Sequence, residues 1–247
     1  MPNILSGAII AAGRGERLRP ATGGLPKPLV ELGGKALLLR QIELMQRCGL
    51  ARVYVIVNTE TAGLLEERGI ALPPGVDLCV ADPPTSMESI LTLGTRIPPG
   101  CFMLATVDAI VAESEFQRFY AQARSLIDSR AGVGRFDGAL GVVKWRGDAR
   151  PLFVDSAADG LITRCGDEQG ERVTAGLYFF TTRIFDYAAE ARTLGLDALR
   201  RFLALLIGKK LRFAAIELSG VVDVDEEADL EQARALITGR RDNGASG

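Results

Sequence analysis

The sequence predicts an α/β protein with three layers, α/β/α, around a mostly parallel central sheet. Two observations carry this expectation. Short β-branched runs alternate along the chain with stretches whose apolar residues recur at helical spacing. The first apolar run, ending in Ile9, Ile10, Ala11 and Ala12, passes directly into a glycine-rich loop, and in a doubly wound sheet ligands collect beyond such strand ends.

After that loop, Leu38, Ile42, Met45 and Gly49 recur at helical spacing, and residues 52–58 are β-branched enough for the next buried strand, completing a β-α-β unit. Leu64 and Leu65 fit a short helix, and residues 76–80 a strand. Thr85 and Glu88 have the spacing of a capping box, which opens a helix reaching to about residue 95. Residues 101–106 form a further strand. Residues 113–129 carry Phe116, Phe119, Tyr120, Ala123 and Ile127 on one helical side, and 139–143 are again strand-like. From 150 to 180 the pattern changes to short extended runs, 152–154, 161–163 and 177–180, between turns rich in Asp, Gly and Glu. Helices over 182–192 and 196–206, a strand over 213–218 and a last helix over 226–237 follow. Residues 1–237 are expected to form a single domain. Residues 238–247, with nothing apolar larger than Ala245, read as a solvated tail.

Composition narrows the chemistry. The 247 residues hold 29 Lys plus Arg against 31 Asp plus Glu, a formal charge of −2, so there is no global basic field for nucleic acid or a membrane surface. No apolar run reaches the ~18 residues that span a bilayer. The segment Met1-Pro2-Asn3 lacks the charged and apolar regions of an export signal, so a soluble cytoplasmic protein is expected. The sequence contains no histidine, which removes Ser-His-Asp and Cys-His catalysis and histidine-based zinc sites. The four cysteines, Cys48, Cys79, Cys101 and Cys165, lack CxxC spacing and read as thiols rather than a metal site. Any metal is expected on oxygen.

The loop itself supplies the strongest signal. Gly13 and Gly15 let the backbone turn and bring its N–H groups close to a ligand, so Ala11, Ala12, Gly13, Arg14, Gly15 and Glu16 read as an anion cradle. The dinucleotide fingerprint GxGxxG fails at Leu18, and the Walker motif fails because Pro28 follows Lys27. The spacing Gly13, Gly15, Arg17, Pro20, Pro26, Lys27 instead resembles the signature GxGxRxxP…PK of the nucleoside triphosphate transferase family. That family includes sugar-1-phosphate nucleotidyltransferases and phosphocholine-type cytidylyltransferases. Residues 28–37 also resemble its PLxxxxGKPLL, with Ala36 in place of a proline, and the resemblance extends over residues 4–237.

The resemblance implies a Rossmann-like fold of the nucleotide-diphospho-sugar transferase type, with a small antiparallel acceptor-side insertion over about 150–180. It implies transfer of a nucleoside monophosphate from a nucleoside triphosphate to a phosphomonoester, a sugar-1-phosphate or a phosphoalcohol such as phosphocholine, with pyrophosphate leaving. Arg17 would fork onto two phosphate oxygens and Lys27 would place a compact charge near the α-phosphate and the acceptor; these are the catalytic candidates. Arg19 and Lys35 are electrostatic support. An acceptor phosphate is already an anionic nucleophile, so the missing histidine costs this chemistry no general base.

By the same resemblance the cofactor is Mg²⁺, held by Asp108 after the 101–106 strand and by Asp223, whose segment is similar to a closing WxD…xDLxxA with Val221 in place of tryptophan. Asp225 is the alternative second ligand, its other reading being the N-cap of the last helix. Within residues 82–91, where the family recognises the base, residues 86–91 look like the NxxSI-type segment of choline-phosphate cytidylyltransferases, which makes Ser89 a nucleotide-binding candidate and leans the base toward CTP. On the acceptor side the EKP segment is missing and 174–176 read TAG where the sugar enzymes have NAG. Gly176 and Asp155, with Glu168, are the acceptor candidates there. The expected partners are therefore a nucleoside triphosphate and a small phosphomonoester, with no nucleic acid and no membrane; oligomeric state stays open. A non-catalytic nucleotide-binding module of the same fold is the alternative class. A glycosyltransferase would show a DxD pair where Asp108 stands without a second acid.

Overall fold

The computed structural model describes residues 4–127, 136–147, 151–166 and 169–238. In chain order these form β1 (Ile4–Ala11), a small hairpin of β2 (Glu31–Leu32) and β3 (Lys35–Ala36), α1 (Leu37–Arg47), β4 (Val53–Val57), α2 (Thr59–Glu67), β5 (Val76–Val80), α3 (Ser86–Gly94), β6 (Gly100–Thr106), β7 (Ala109–Ile110) and α4 (Glu113–Ile127). The second half adds β8 (Gly138–Lys144), β9 (Phe153–Ser156), β10 (Ile162–Gly166), β11 (Arg172–Thr181), α5 (Ala188–Thr193), α6 (Leu199–Gly208), β12 (Phe213–Glu217), β13 (Val222–Asp223) and α7 (Glu227–Thr238).

The main sheet runs β5-β4-β1-β6-β11-β8-β12, with β9 and then β10 attached to the amino end of β11. Strand β1 is parallel to β4 and β6, β4 to β5, and β8 to β12, whereas β11 is antiparallel to both β6 and β8. Along that path every strand but β11 therefore points the same way. This is the expected mostly parallel α/β architecture, with an antiparallel arm formed by β9, β10 and the first half of β11.

Alternating side chains on the central strands feed two cores. Ile9 and Ala11 of β1, with Val53, Val55 and Val57 of β4, pack on the face covered by α1, α4 and α7. Ala8, Ile10, Tyr54 and Ile56 pack on the opposite face beneath α3 and α6. This period of two on strands buried on both sides produces the three layers. Fully buried Phe116 and Phe119 of α4 and Phe202 of α6 anchor the helices, each side chain stabilising by roughly 1.5–3 kcal/mol on burial.

Several elements differ from the sequence reading. The run expected at 177–180 is the end of a strand that begins at Arg172; Thr174 and Gly176 interrupt its apolar pattern because its register shifts between Thr174 and Tyr178. The helix expected over 182–192 is a 3₁₀ turn, Thr182–Tyr187, followed by α5. Half of the capping box forms: Thr85 Oγ1 accepts the Glu88 N–H at 3.1 Å, while the Glu88 carboxylate pairs with Arg192 instead of reaching back. All four cysteines are thiols, Cys79 and Cys101 buried and Cys48 and Cys165 half-buried. Residues 128–129 of the expected fourth helix and 239–247 of the expected tail lie outside the described residues.

Strand β13 pairs with β7 in a separate two-stranded sheet. Asp223 sits opposite Ala109, Val222 opposite Ile110, and the Val224 N–H donates to the Asp108 carbonyl at 3.1 Å. The turn leading into β13 is pinned from α4: the Glu115 carboxylate accepts the Ser219 N–H at 2.6 Å and pairs with Arg118, which also donates to the Glu217 carbonyl at 2.5 Å. The Arg118 hydrogen bond outweighs burial and, with Ser219, holds the Glu115 pKa down to about 2, against an ordinary 4.5. A depressed carboxyl pKa contributes stability above the unfolded value and loses it as pH falls through the folded one. Thermal stability is therefore expected to drop between about pH 4.5 and pH 2, and Glu115→Gln should lower the melting temperature at pH 7 while flattening that part of the acid profile. Parallel acid profiles for the two proteins would show that this carboxylate does not hold the turn.

Candidate active site

An open cleft of about 1320 Å³ lies beyond the carboxyl ends of β1, β4 and β6. Its floor is the loop of residues 11–17, one wall is made where α2 and α3 begin, and the other carries Lys27, Asp108 and Asp225. Every residue of the expected anion cradle, Ala11, Ala12, Gly13, Arg14, Gly15 and Glu16, lines this space, together with Arg17, Ser89 and Asp108. The two glycines differ in what they do. Gly15 has φ +60°, and a Cβ there would stand 2.9 Å from Lys27 Cβ, so the loop requires glycine to close over the lysine. A Cβ on Gly13 would meet nothing within 4 Å, so any demand for glycine there comes from what enters the cleft.

Lys27 is 7% exposed, in a 3₁₀ turn between Pro26 and Pro28. Its Nζ donates to Asp108 Oδ2 at 3.0 Å and to Asp225 Oδ1 at 2.7 Å. Burial works against the ammonium, but the charge of Asp108 and the hydrogen bond to Asp225 outweigh it and hold the pKa above the ordinary lysine value. Burial likewise opposes the Asp225 carboxylate; its bond to Lys27 prevails, with Arg17 assisting, and its pKa lies below the usual range. Arg17 Nη2 donates to Asp225 Oδ2 at 2.5 Å. The site thus holds a buried cation in its charged form beside a more exposed, forked one.

Asp225 is not the N-cap of α7. Glu226 immediately precedes the helix, and Asp229 Oδ2 accepts the N–H groups of Asp225 at 2.9 Å and Glu226 at 2.7 Å, a third-position carboxylate reaching back over the helix start. This frees the Asp225 side chain for the two cations, a role the sequence reading missed. The available signal was the spacing Asp223-Val224-Asp225: in extended chain the two acids share one side, opposite the fully buried Val224.

Asp223 faces a second, smaller cavity of about 190 Å³, which Thr106, Lys144, Arg146, Thr174 and Gly176 also line. Thr106 borders both spaces, so the cavity adjoins the cleft. The buried Tyr178 phenol has its pKa raised by burial first, with the charges of Asp223 and Asp108 adding to it. Asp108 lines the cleft and Asp223 the smaller cavity. Gly176 stands at the β11 register shift with φ +69°, and a Cβ there would lie 2.5 Å from Ala109 Cβ and 2.6 Å from Thr106 Oγ1.

Two candidates have other surroundings. Asp155 accepts a 2.6 Å bond from Arg164 Nε across the β9–β10 pair and lines neither cavity. Ser89 lines the cleft but is buried, with its hydroxyl donating to the Thr85 carbonyl at 3.0 Å within α3. Arg19 is tied to Glu60 across the rim, and Lys35 to Glu43. Glu168 lies outside the described residues.

Residues 7–204 match the family model of the MobA-like NTP transferase domain. The chain belongs to this family. Among curated relatives of this NTP transferase domain, mannose-1-phosphate guanyltransferase of Saccharomyces cerevisiae is 39% identical and that of Kluyveromyces lactis 34%, each over 74% of this chain and 51% of the relative. The chain spans about half the length of these relatives. Among solved structures, the inositol-1-phosphate CTP transferase of T. maritima superposes with a TM-score of 0.75 at 18% identity, covering 99% of this chain and 100% of the other. The CTP:phosphocholine cytidylyltransferase of Streptococcus pneumoniae gives 0.69 at 20%, covering 93% and 97%. These structures share the fold of the NTP transferase domain described above.

The geometry separates structural glycines from ligand-facing ones. Gly176→Ala is expected to destabilise by roughly 1–3 kcal/mol from its left-handed backbone alone, and by more through the contacts with Ala109 and Thr106. Gly13→Ala should leave stability within about 0.5 kcal/mol of the parent. Denaturant unfolding of both variants checks this, and equal losses would contradict the assignment.

Proposed function

We propose that this chain is a nucleotidyltransferase that moves a nucleoside monophosphate from a nucleoside triphosphate to a small phosphomonoester and releases pyrophosphate. The observation that carries this reading is Lys27, a buried charged amine lining a glycine-floored cleft that shares Thr106 with a smaller cavity. In it the cleft takes the triphosphate and the cavity takes the acceptor. Loop N–H groups at 11–16 meet phosphate oxygens, Arg17 forks onto the leaving phosphates, and Lys27 meets the charge that grows as the α-phosphorus is attacked. Little covalent work falls to the protein, because the rate comes from in-line placement and fixed positive charge.

Mg²⁺ is proposed as the metal. The acids near Lys27 are hard oxygen donors, and Mg²⁺ typically takes one or two carboxylates with phosphates and water completing its shell. Asp108 and Asp223 are the proposed ligands on the resemblance of their segments to the family's, with Asp225, which pairs with Lys27 and Arg17, as the alternative second ligand. The metal would supply positive charge to the phosphates.

The two sets of relatives differ on the base. The yeast relatives are named for guanylyl transfer, and the two fold neighbours for cytidylyl transfer, while the 82–91 segment leans toward CTP. CTP and GTP are accordingly the first triphosphates to test. Among the described residues no helix is long and apolar enough to cross a membrane, and the reading places the reaction in the cytoplasm, where its triphosphate substrate is made.

The test is pyrophosphate release with Mg²⁺ for each triphosphate against sugar-1-phosphates, phosphocholine and related phosphoalcohols. Release is expected to require one triphosphate and one acceptor. Lys27→Ala and Arg17→Ala should each lower kcat by roughly two orders of magnitude, the scale of losing one preorganised contact. Asp223→Asn should raise the Mg²⁺ concentration needed for half-maximal rate. Nucleotide binding without release for any pair would favour a non-catalytic module of the same fold.

A further inference from the structure

We propose that Asp225 is a positioning residue with two separable tasks: it fixes Lys27 in place, and it holds Arg17 until a triphosphate takes it over. The inference rests on the nucleotidyltransferase reading and adds a residue to it. Its basis is that the two oxygens of one carboxylate serve cations in unlike surroundings. Oδ1 accepts from Lys27, whose side chain is 8% exposed, and Oδ2 accepts from Arg17, whose side chain is 45% exposed.

That asymmetry decides which contact exchanges. Lys27 cannot leave without abandoning Asp108 as well, and its Cβ is closed over by Gly15. A buried ammonium stripped of a partner is costly, so this contact persists through turnover. Arg17 is half in solvent, and its planar fork matches a phosphate as well as a carboxylate. When triphosphate arrives, Arg17 exchanges one anion for another, and Asp225 keeps Lys27 as its partner. The cleft thereby avoids presenting two uncompensated cations when empty, and Arg17 starts close to where it is needed.

Asp225 is itself fixed by α7, since the Asp229 carboxylate accepts its backbone N–H at 2.9 Å. The Val224 N–H bonds the Asp108 carbonyl, so the two acids that grip Lys27 are joined through the β7–β13 pairing. Removing the Asp225 charge should therefore loosen Lys27 and release Arg17 at once, and these have opposite kinetic signatures. A displaced Lys27 lowers kcat, because misplacing a reacting contact by an ångström can cost about a hundredfold. A released Arg17 no longer has to exchange partners, so the KM for triphosphate does not rise.

The test compares Asp225→Asn, Asp225→Glu and Asp229→Ala with the parent by three measurements. Steady-state kinetics is expected to give a kcat about tenfold to a hundredfold lower for Asp225→Asn with an unchanged or lower triphosphate KM, and partial recovery of kcat in Asp225→Glu. Asp229→Ala, which loses the bond to the Asp225 backbone but keeps the carboxylate that meets Lys27, should lower the melting temperature and lower kcat by less than Asp225→Asn does. Labelling of lysines with formaldehyde and borohydride, quantified by peptide mass spectrometry without nucleotide, should show Lys27 modified several-fold faster in Asp225→Asn. Equal Lys27 labelling in parent and Asp225→Asn overturns the proposal, as does an Asp229→Ala enzyme with the same kcat loss as Asp225→Asn. The labelling arm needs no substrate: faster labelling in a protein that catalyses no transfer would uphold the anchoring of Lys27 while the nucleotidyltransferase reading fails.

Discussion

The rest of the site depends on one ammonium group held out of water between two carboxylates. Taking a lysine charge from water carries a penalty of several kcal/mol, and an isolated buried lysine would lose its proton instead. Asp108 and Asp225 reverse that outcome. To do so, the fold must bring together a 3₁₀ turn near the start of the chain, the segment after β6 and the segment after β13. Gly15 must also let the first loop fold tightly against the Lys27 stem. Loop shape, strand pairing and helix capping all converge on that charge.

The reversed strand explains the second half of the site. In a parallel sheet, residues near a functional edge come from strand ends and the loops after them, as Thr106, Lys144 and Val221 do here. Strand β11 runs the other way, so its early residues arrive at the same edge. The register shift between Thr174 and Tyr178 then brings Gly176 against Ala109 and Thr106. A wall of backbone and small side chains results, where another parallel strand would have supplied only its terminus and a loop.

Much of this was legible in the sequence because it is local. Buried strands β1, β4 and β6 are continuous apolar runs, α4 shows its period plainly, and the glycine loop with Arg17 and Lys27 has a spacing that a turn alone would not need. What escaped depends on distant partners. Two-residue strands such as β7 and β13 have no pattern to read, because each pairs with a distant segment of the chain. Asp225 read as an alternative metal ligand or a helix cap, and its bonds to Lys27 and Arg17 come from the far end of the sequence. Glu88 had the capping-box spacing, yet a guanidinium on α5 offered its carboxylate a stronger partner than a backbone N–H. Asp155 had no local pattern to reveal its partner Arg164, which the β9–β10 pairing brings to it.

The bond between Arg17 and Asp225 joins residues 208 positions apart, and that span has a consequence for how the protein comes into being. During synthesis from the amino end, β1, its loop and Lys27 emerge about two hundred residues before the strand and helix that complete their surroundings. Closing so long a loop carries a large entropic cost that no local contact offsets. Until then the nascent chain has the sheet's centre but an amine with half of its counter-charge. Maturation of this cleft is therefore a late, long-range event, and a ribosome-bound intermediate can hold most of the core without yet holding the site.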